Sequence, residues 1–373
     1  MRLASTLLAL AVMTAPVLRA QAPTAPEDSS TQEPTSTISV RSNLVLIPAL
    51  VKTKAGAVVY TLTAKDFIAT DDGVEQTLTL EKDAGDEPLA LVVLVQTGGD
   101  GADRLFQYQN LGPVLDALVG NVPHKIAVVS FDSSPWVEQR FTTSNEAAET
   151  AINKLQPGDP GSAILDALKF SVDLLSHQPP AYRRAILMIS ETIDHGSKVP
   201  IDDALRAIDD TNTAIYSMAF SSTKGETAAE AAKLGSSEPG PAHGCFAHDP
   251  NSNESRATQN YDCLAELLPP LRLAKMAAIV ARNSLKRNTA ETVAKLTGGE
   301  YFHIKDEKGL EKDLLTVSNH LPNRYVLSFR PQSPHPGFHT LELRLKNYDN
   351  LVVEARNGYW VEDDAMQPSP AVK

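Results

Sequence analysis

A chain of 373 residues that is 42% hydrophobic and only 6% aromatic holds material for two or three domains with proper cores. Its formal charge of −12 argues against gripping nucleic acid or an anionic membrane, which calls for the opposite sign. A G-x-S-x-G elbow, an H-E-x-x-H pair and a G-x-x-x-x-G-K-[ST] loop are all missing from the sequence, so no enzymatic activity is expected.

Residues 1–20 begin with Arg2, run apolar over 3–18 and reach small residues at Ala20 and Ala22, the layout of a secretory signal. Cleavage is expected after Ala20, since a cut after Ala22 would set Pro23 against the scissile bond. Ser5, Thr6, Thr14 and Pro16 interrupt the run and leave it short of a membrane span; a retained anchor is the alternative. The mature chain is therefore expected to be secreted, or held in the periplasm or cell envelope, with no transmembrane segment. Residues 21–37 are Pro, Ser, Thr, Glu and Gln in the main and read as a disordered leader.

Residues 38–84 alternate apolar and polar side chains around two turn signals, Lys54-Ala55-Gly56 and Asp71-Asp72-Gly73, which predicts a small sandwich-like β module. Asp66, Asp71 and Asp72 could be drawn as a calcium site, but turns use Asp to bond their own backbone, which is the simpler reading.

After residue 85 the period changes. Strand-like runs at 89–95, 125–131, 183–190 and 213–220 alternate with helical segments near 104–120, 145–155, 162–176 and 200–210. That order predicts an α/β domain over 85–321, with a doubly wound, mainly parallel sheet and helices on both faces. An irregular insertion, around 221–265, leads to an apolar-periodic helix broken at Pro269 and Pro270, then to "TAETVAKLTGG", a strand "EYFHI" and a last helix "KGLEKDLLTVSNHL". Residues 322–361 return to two-residue alternation, with Pro334, Pro336 and Gly337 at a turn, and form a C-terminal β element before a disordered tail, 362–373.

The insertion carries the chain's two cysteines, Cys245 and Cys263. In an exported protein an even count points to one disulfide; zinc held by His243, Cys245, His248 and Cys263 is an alternative whose spacing matches no common module. Asp194, His195 and Ser197 include the residue types of a catalytic triad, but triads are recognised in space and closeness in sequence is no evidence of one.

The order of these parts resembles that of secreted bacterial proteins related to the von Willebrand factor type A family. The resemblance rests on "NLVLIPALVKTKAGAVVYTLTAKDFIATDDGVEQTL" as the leading β module, "EPLALVVLVQTGG" as the first sheet strand, "LTGGEYF" as a late helix-to-strand turn and "RYVLSF" with "ARNGYW" as the closing β element. It implies a Rossmann-like domain with a binding surface at the carboxyl edge of its sheet. Metal-binding members use a D-x-S-x-S loop, a Thr from a second loop and an Asp from a third. The positions aligned here are Gln96, Gly98 and Asp100, then Ser162 and Glu191.

Two outcomes stay open. The ion site is degenerate and no cofactor is held, or Asp100, Ser162 and Glu191 hold Mg²⁺ or Mn²⁺ weakly, with Asp194 as an outer partner. In either case Gln96, Thr97, Gly98, Asp100, Ser162, Glu191 and Asp194 line the expected binding loops, and the expected partner is another protein or an envelope surface. Gln96, Ser162 and Glu191 are expected to converge, and Gln96→Asp with Gly98→Ser to create metal binding.

Overall fold

The structure is a computed structural model that describes residues 44–81, 87–108, 111–221, 287–332 and 335–361. The expected signal, leader, tail, broken helix and both cysteines lie outside the described residues.

Four strands come first: β1 (Val45–Thr53), β2 (Phe67–Asp71), β3 (Val74–Gln76) and β4 (Thr79–Leu80). The turn between β2 and β3 is tight because Asp72 and Gly73 both take positive φ, 47° and 82°.

The chain then builds a six-stranded sheet from β5 (Leu89–Gln96), β6 (His124–Phe131), β7 (Pro135–Thr142), β8 (Arg183–Glu191), β9 (Ala214–Phe220) and β10 (Tyr301–His303). Its order is β10-β9-β8-β5-β6-β7. All pairs are parallel except β6 with β7. Every residue of β5 is buried, as an unbroken apolar run at the centre of a doubly covered sheet requires.

Leu89, Leu91, Val93 and Val95 face one core with α1 (Gly112–Val119), α2 (Asn145–Asn153) and the last helix, α6 (Glu307–His320). Ala90, Val92 and Leu94 face the other, with α3 (Ile164–Ser176), α4 (Ile201–Asp210) and α5 (Thr289–Leu296). Burying each such Leu or Val is worth about 1.5 to 3 kcal/mol. The helices start at side-chain caps where the sequence supplies them: Ser144, Asn288 and Asp306 accept from the backbone N–H groups of Ala147, Glu291 and Gly309. The edge strand β7 lies where no strand was expected.

The two β stretches read separately in the sequence are one two-sheet unit. With β11 (Tyr325–Phe329), β12 (Gly337–Leu345), β13 (Leu351–Ala355) and β14 (Gly358–Val361), the sheets run β13-β1-β11-β4 and β14-β12-β2-β3. Their inner faces share a third core that includes Ile47, Ala49, Phe67, Leu327, Leu341 and Tyr359. This unit is pinned to α4. The buried Arg356 guanidinium donates to Asp209 and to the carbonyl of Leu46, and the Trp360 N–H donates to Asp209 Oδ2 at 2.7 Å.

Candidate functional site

Because β5, β6, β8 and β9 run parallel, their carboxyl ends share one crest, where ligands of open α/β sheets sit. Gln96 ends β5 and Glu191 ends β8, and both side chains are fully buried there. They lock reciprocally. Gln96 Nε2 donates to Glu191 Oε1 at 2.8 Å and to the Gly98 carbonyl at 3.0 Å, while Gln96 Oε1 accepts from the Glu191 backbone N–H at 2.8 Å. The amide oxygen is thus spent on a backbone donor, and the face turned to the carboxylate is an NH₂ group.

The loops around this latch are drawn in tightly. Thr97 donates through both its N–H and its hydroxyl to the Phe131 carbonyl, and the Thr97 carbonyl accepts from Gly158. Gly99 N–H reaches the Asp159 carbonyl. A Cβ on Gly98 would stand 2.3 Å from the Gly161 carbonyl oxygen and 2.5 Å from that of Asp159. Glycine at 98 is therefore more than a lost hydroxyl: it lets residues 158–161 close over the first loop. Gly98→Ser would collide with backbone, which removes the simple route to a rebuilt ion loop expected from the sequence.

Ser162 is tied to the third loop by paired backbone bonds with His195, and His195 Nδ1 lies 3.5 Å from Glu191 Oε1. The structure thus links Gln96, Glu191 and Ser162 through direct contacts and one intervening histidine. Ser162 Oγ is buried with no hydrogen-bond partner among the described residues. Asp100 is half-buried on a 3-10 segment, Gly99–Tyr108, that leaves the crest.

Asp194 is committed elsewhere. Its Oδ1 accepts from the Leu165 N–H in the first turn of α3 and from Ser197 Oγ at 2.5 Å, and burial pushes its pKa up against those bonds. Ser197 thus donates straight to Asp194, with no histidine between them.

Sequence reasoning passed over Asp132 and Asp159, which organise the crest. Asp132 accepts from the N–H groups of Ser134 and Asp159. Asp159 accepts from the Gly161 N–H and from the Ser133 hydroxyl and N–H, which hold its carboxyl below the usual range. The turn-rich strings "FDSSP" and "GDPG" were the available signal. On the outer surface, Phe106 of the 3-10 segment is 64% exposed and Trp136, opposite the end of β6, is 63% exposed. Arg104 stacks over Phe220 at the end of β9, 4.4 Å from the ring centre.

Residues 98–193 match the family model of the von Willebrand factor type A domain. No curated protein matches the chain. Among solved structures, an aerotolerance-related membrane protein from Bacteroides fragilis is 14% identical, with a TM-score of 0.37, covering 62% of this chain and 98% of its own. BatB from Bacteroides thetaiotaomicron is 13% identical at a TM-score of 0.36, with the same 62% and 98% coverage. Proximal thread matrix protein 1 from the mussel byssus, in a form with a zinc-occupied MIDAS motif, is 11% identical at 0.38, covering 67% and 49%. Scores below one half carry no function across.

Proposed function

The chain carries a von Willebrand factor type A domain, and from that premise we propose that it is an exported, non-enzymatic binding protein whose crest loops capture another protein or an envelope surface. The observation that supports this best is the pair of exposed aromatic side chains, Phe106 on the 3-10 segment that follows the first crest loop and Trp136 opposite the end of β6, in a domain whose crest centre is closed by Gln96 and Glu191. Large exposed aromatics are costly to leave in water and are frequent anchors of protein interfaces. Export rests on residues 1–20. No helix among the described residues is long and apolar enough to cross a membrane.

The family's divalent ion does not suit these residues. A hard dication wants anionic oxygens. Here an NH₂ group faces the carboxylate, and no hydroxyl fits at Gly98. The ion site is degenerate on this reading.

The test is affinity capture from a solubilised envelope fraction with immobilised residues 21–373. Trp136→Ala and Phe106→Ala should lose the captured partner with unchanged thermal stability, and chelator should make no difference. Because β1–β4 share sheets with β11–β14, deleting residues 38–84 would dismantle the β unit; Tyr60→Ala, at a 70% exposed position, probes it instead. Capture lost only with Tyr60→Ala would make the type A domain a spacer in a structural envelope component.

One observation favours a second reading, a rearranged ion site at Asp100, Ser162 and Glu191: the orphaned Ser162 hydroxyl. Micromolar Mn²⁺ binding abolished by Asp100→Ala or Glu191→Ala would put it in place of the first.

A further inference from the structure

We infer that the open cleft between α6 and the turn after β1 binds a small phosphate monoester. The cleft offers about 510 Å³, within the range of small-molecule sites, roughly 300 to 1,000 Å³. One wall is the turn at Gly56. The other is a stripe of α6 that runs from Lys308 through Lys312 and Leu315 to Asn319 and His320. These positions recur every three or four residues, so they share one helix face. The neighbouring face carries Leu310, Leu314 and Val317 into the core, which fixes how α6 is turned toward the cleft. Glu300, behind His320, immediately precedes β10 at the amino edge of the parallel sheet, so the His320 end of the cleft lies away from the crest.

The stripe is rich in donors although the chain carries a net charge of −12. Lys308 and Lys312 stand one turn apart, a like-charge spacing that disfavours the helix, and neither is in a salt bridge among the described residues. Glu311 on the same wall and Asp313 beside it close on neither ammonium. The Asn319 side-chain amide also has no partner among the described residues. At the end of the stripe the His320 side chain is only 6% exposed. Its Nδ1 lies 2.8 Å from the Glu300 carboxylate, which Arg324 and Lys52 approach as well. The ring is thus fixed from behind, and its Nε2, unpartnered among the described residues, is left for the cleft.

A phosphate monoester meets this set better than a carboxylate does. Near neutral pH it carries about −1.5 to −2 charges and three acceptor oxygens, against two ammonium groups one turn apart and an amide N–H. Being partly protonated, it can donate to the imidazole edge or accept from it, so the match holds for a neutral and for a charged ring. Leu315, 47% exposed, gives an apolar shelf for the organic part of the ligand. Charge also selects the source of the phosphate. An anionic bilayer repels a chain of −12, whereas a soluble ester brings a single group into the field of the two lysines.

The experiment titrates the full mature chain with inorganic phosphate and with phenyl phosphate near neutral pH, by calorimetry and by nuclear magnetic resonance of the histidine rings. Phenyl phosphate should bind at millimolar affinity or better, more tightly than inorganic phosphate, and should move the His320 ring signals. Lys308→Gln and Lys312→Gln should each weaken binding by about threefold to fivefold, and Glu311→Gln should strengthen it by about as much, all three with unchanged melting temperature. Lys169→Gln removes the same charge from α3, where Lys169 is paired with Asp173, and should leave binding unchanged. Vesicles containing phosphatidate should not sediment the chain. No binding of phenyl phosphate at millimolar concentrations, His320 signals that stay in place, or a loss with Lys169→Gln equal to that with Lys312→Gln would overturn the proposal. Vesicle sedimentation that vanishes with Lys312→Gln would overturn it in favour of a lipid headgroup.

Discussion

The sheet crest and the β unit answer the same chemical demand in opposite ways. At the crest a family resemblance points to an ion, yet the buried Glu191 carboxylate is met by an amide NH₂ and a backbone that closes over Gly98. In the β unit the carboxylates of Asp71 and Asp72 are instead met by two stacked imidazoles, with His339 2.9 Å from Asp71 and His335 3.0 Å from Asp72. The lesson is about direction. Whether a cluster takes a cation depends on which atoms face the gap, and residue type in a motif settles that only in part.

The comparison breaks most readily at the latch. Gln96→Leu keeps the volume and removes both bonds to Glu191, leaving a buried carboxylate without its NH₂ partner. It should cost about 3 to 5 kcal/mol in urea unfolding. A loss under about 1 kcal/mol would mean that the amide is idle and that the remaining neighbours of Glu191, His195 among them, suffice. Gly98→Ser tests the closure itself. Overpacking against the Gly161 and Asp159 carbonyls should cost about 2 kcal/mol and add no Mn²⁺ affinity, even beside Gln96→Asp. Wild-type stability together with new binding would restore the simpler view of a loop that lacks only its ligands.

Another buried carboxylate sharpens the contrast, because the protein itself supplies its counter-charges. Burial works against the charge of Glu300, but His320 at 2.8 Å, Arg324 at 3.1 Å and Lys52 together hold its pKa below the ordinary 4.5. A lowered carboxylate pKa stabilises the fold above the unfolded value and loses that contribution as pH falls through the folded one. Glu300→Gln should therefore cost about 2 kcal/mol near neutral pH, with the gap to the natural chain closing below about pH 4.5. A gap that widened in acid would reverse the sign and remove Glu300 as a control for the Asp71 and Asp72 pair.

Much of the sheet was legible because burial on both faces leaves a local trace. Leu89 to Val95 is an apolar run without alternation, and that pattern is what a central parallel strand needs. The edge strand β7 was not legible, since "PWVEQRFT" begins with proline and is largely polar, as an edge beside solvent permits. The union of the two β stretches also leaves no local sign: β1 finds β11 and β13, and β2 finds β12, across most of the chain. At the crest the sequence named Gln96 and Glu191 as neighbours in function. It could not say that the amide oxygen would turn to a backbone N–H. His335 and His339 stand in "SPHPGFHT", a string read for its prolines and glycine as a turn, and Asp72 was read as a turn residue. Both descriptions are true, and neither carries the ring orientations that set the two imidazoles against Asp72 and Asp71.

The most direct test is anomalous diffraction at the zinc absorption edge, from crystals of the full mature chain equilibrated with Zn²⁺. No peak is expected beside Gln96, Ser162 and Glu191, where an amide NH₂ faces the carboxylate. A peak at the crest would contradict the closed, degenerate site.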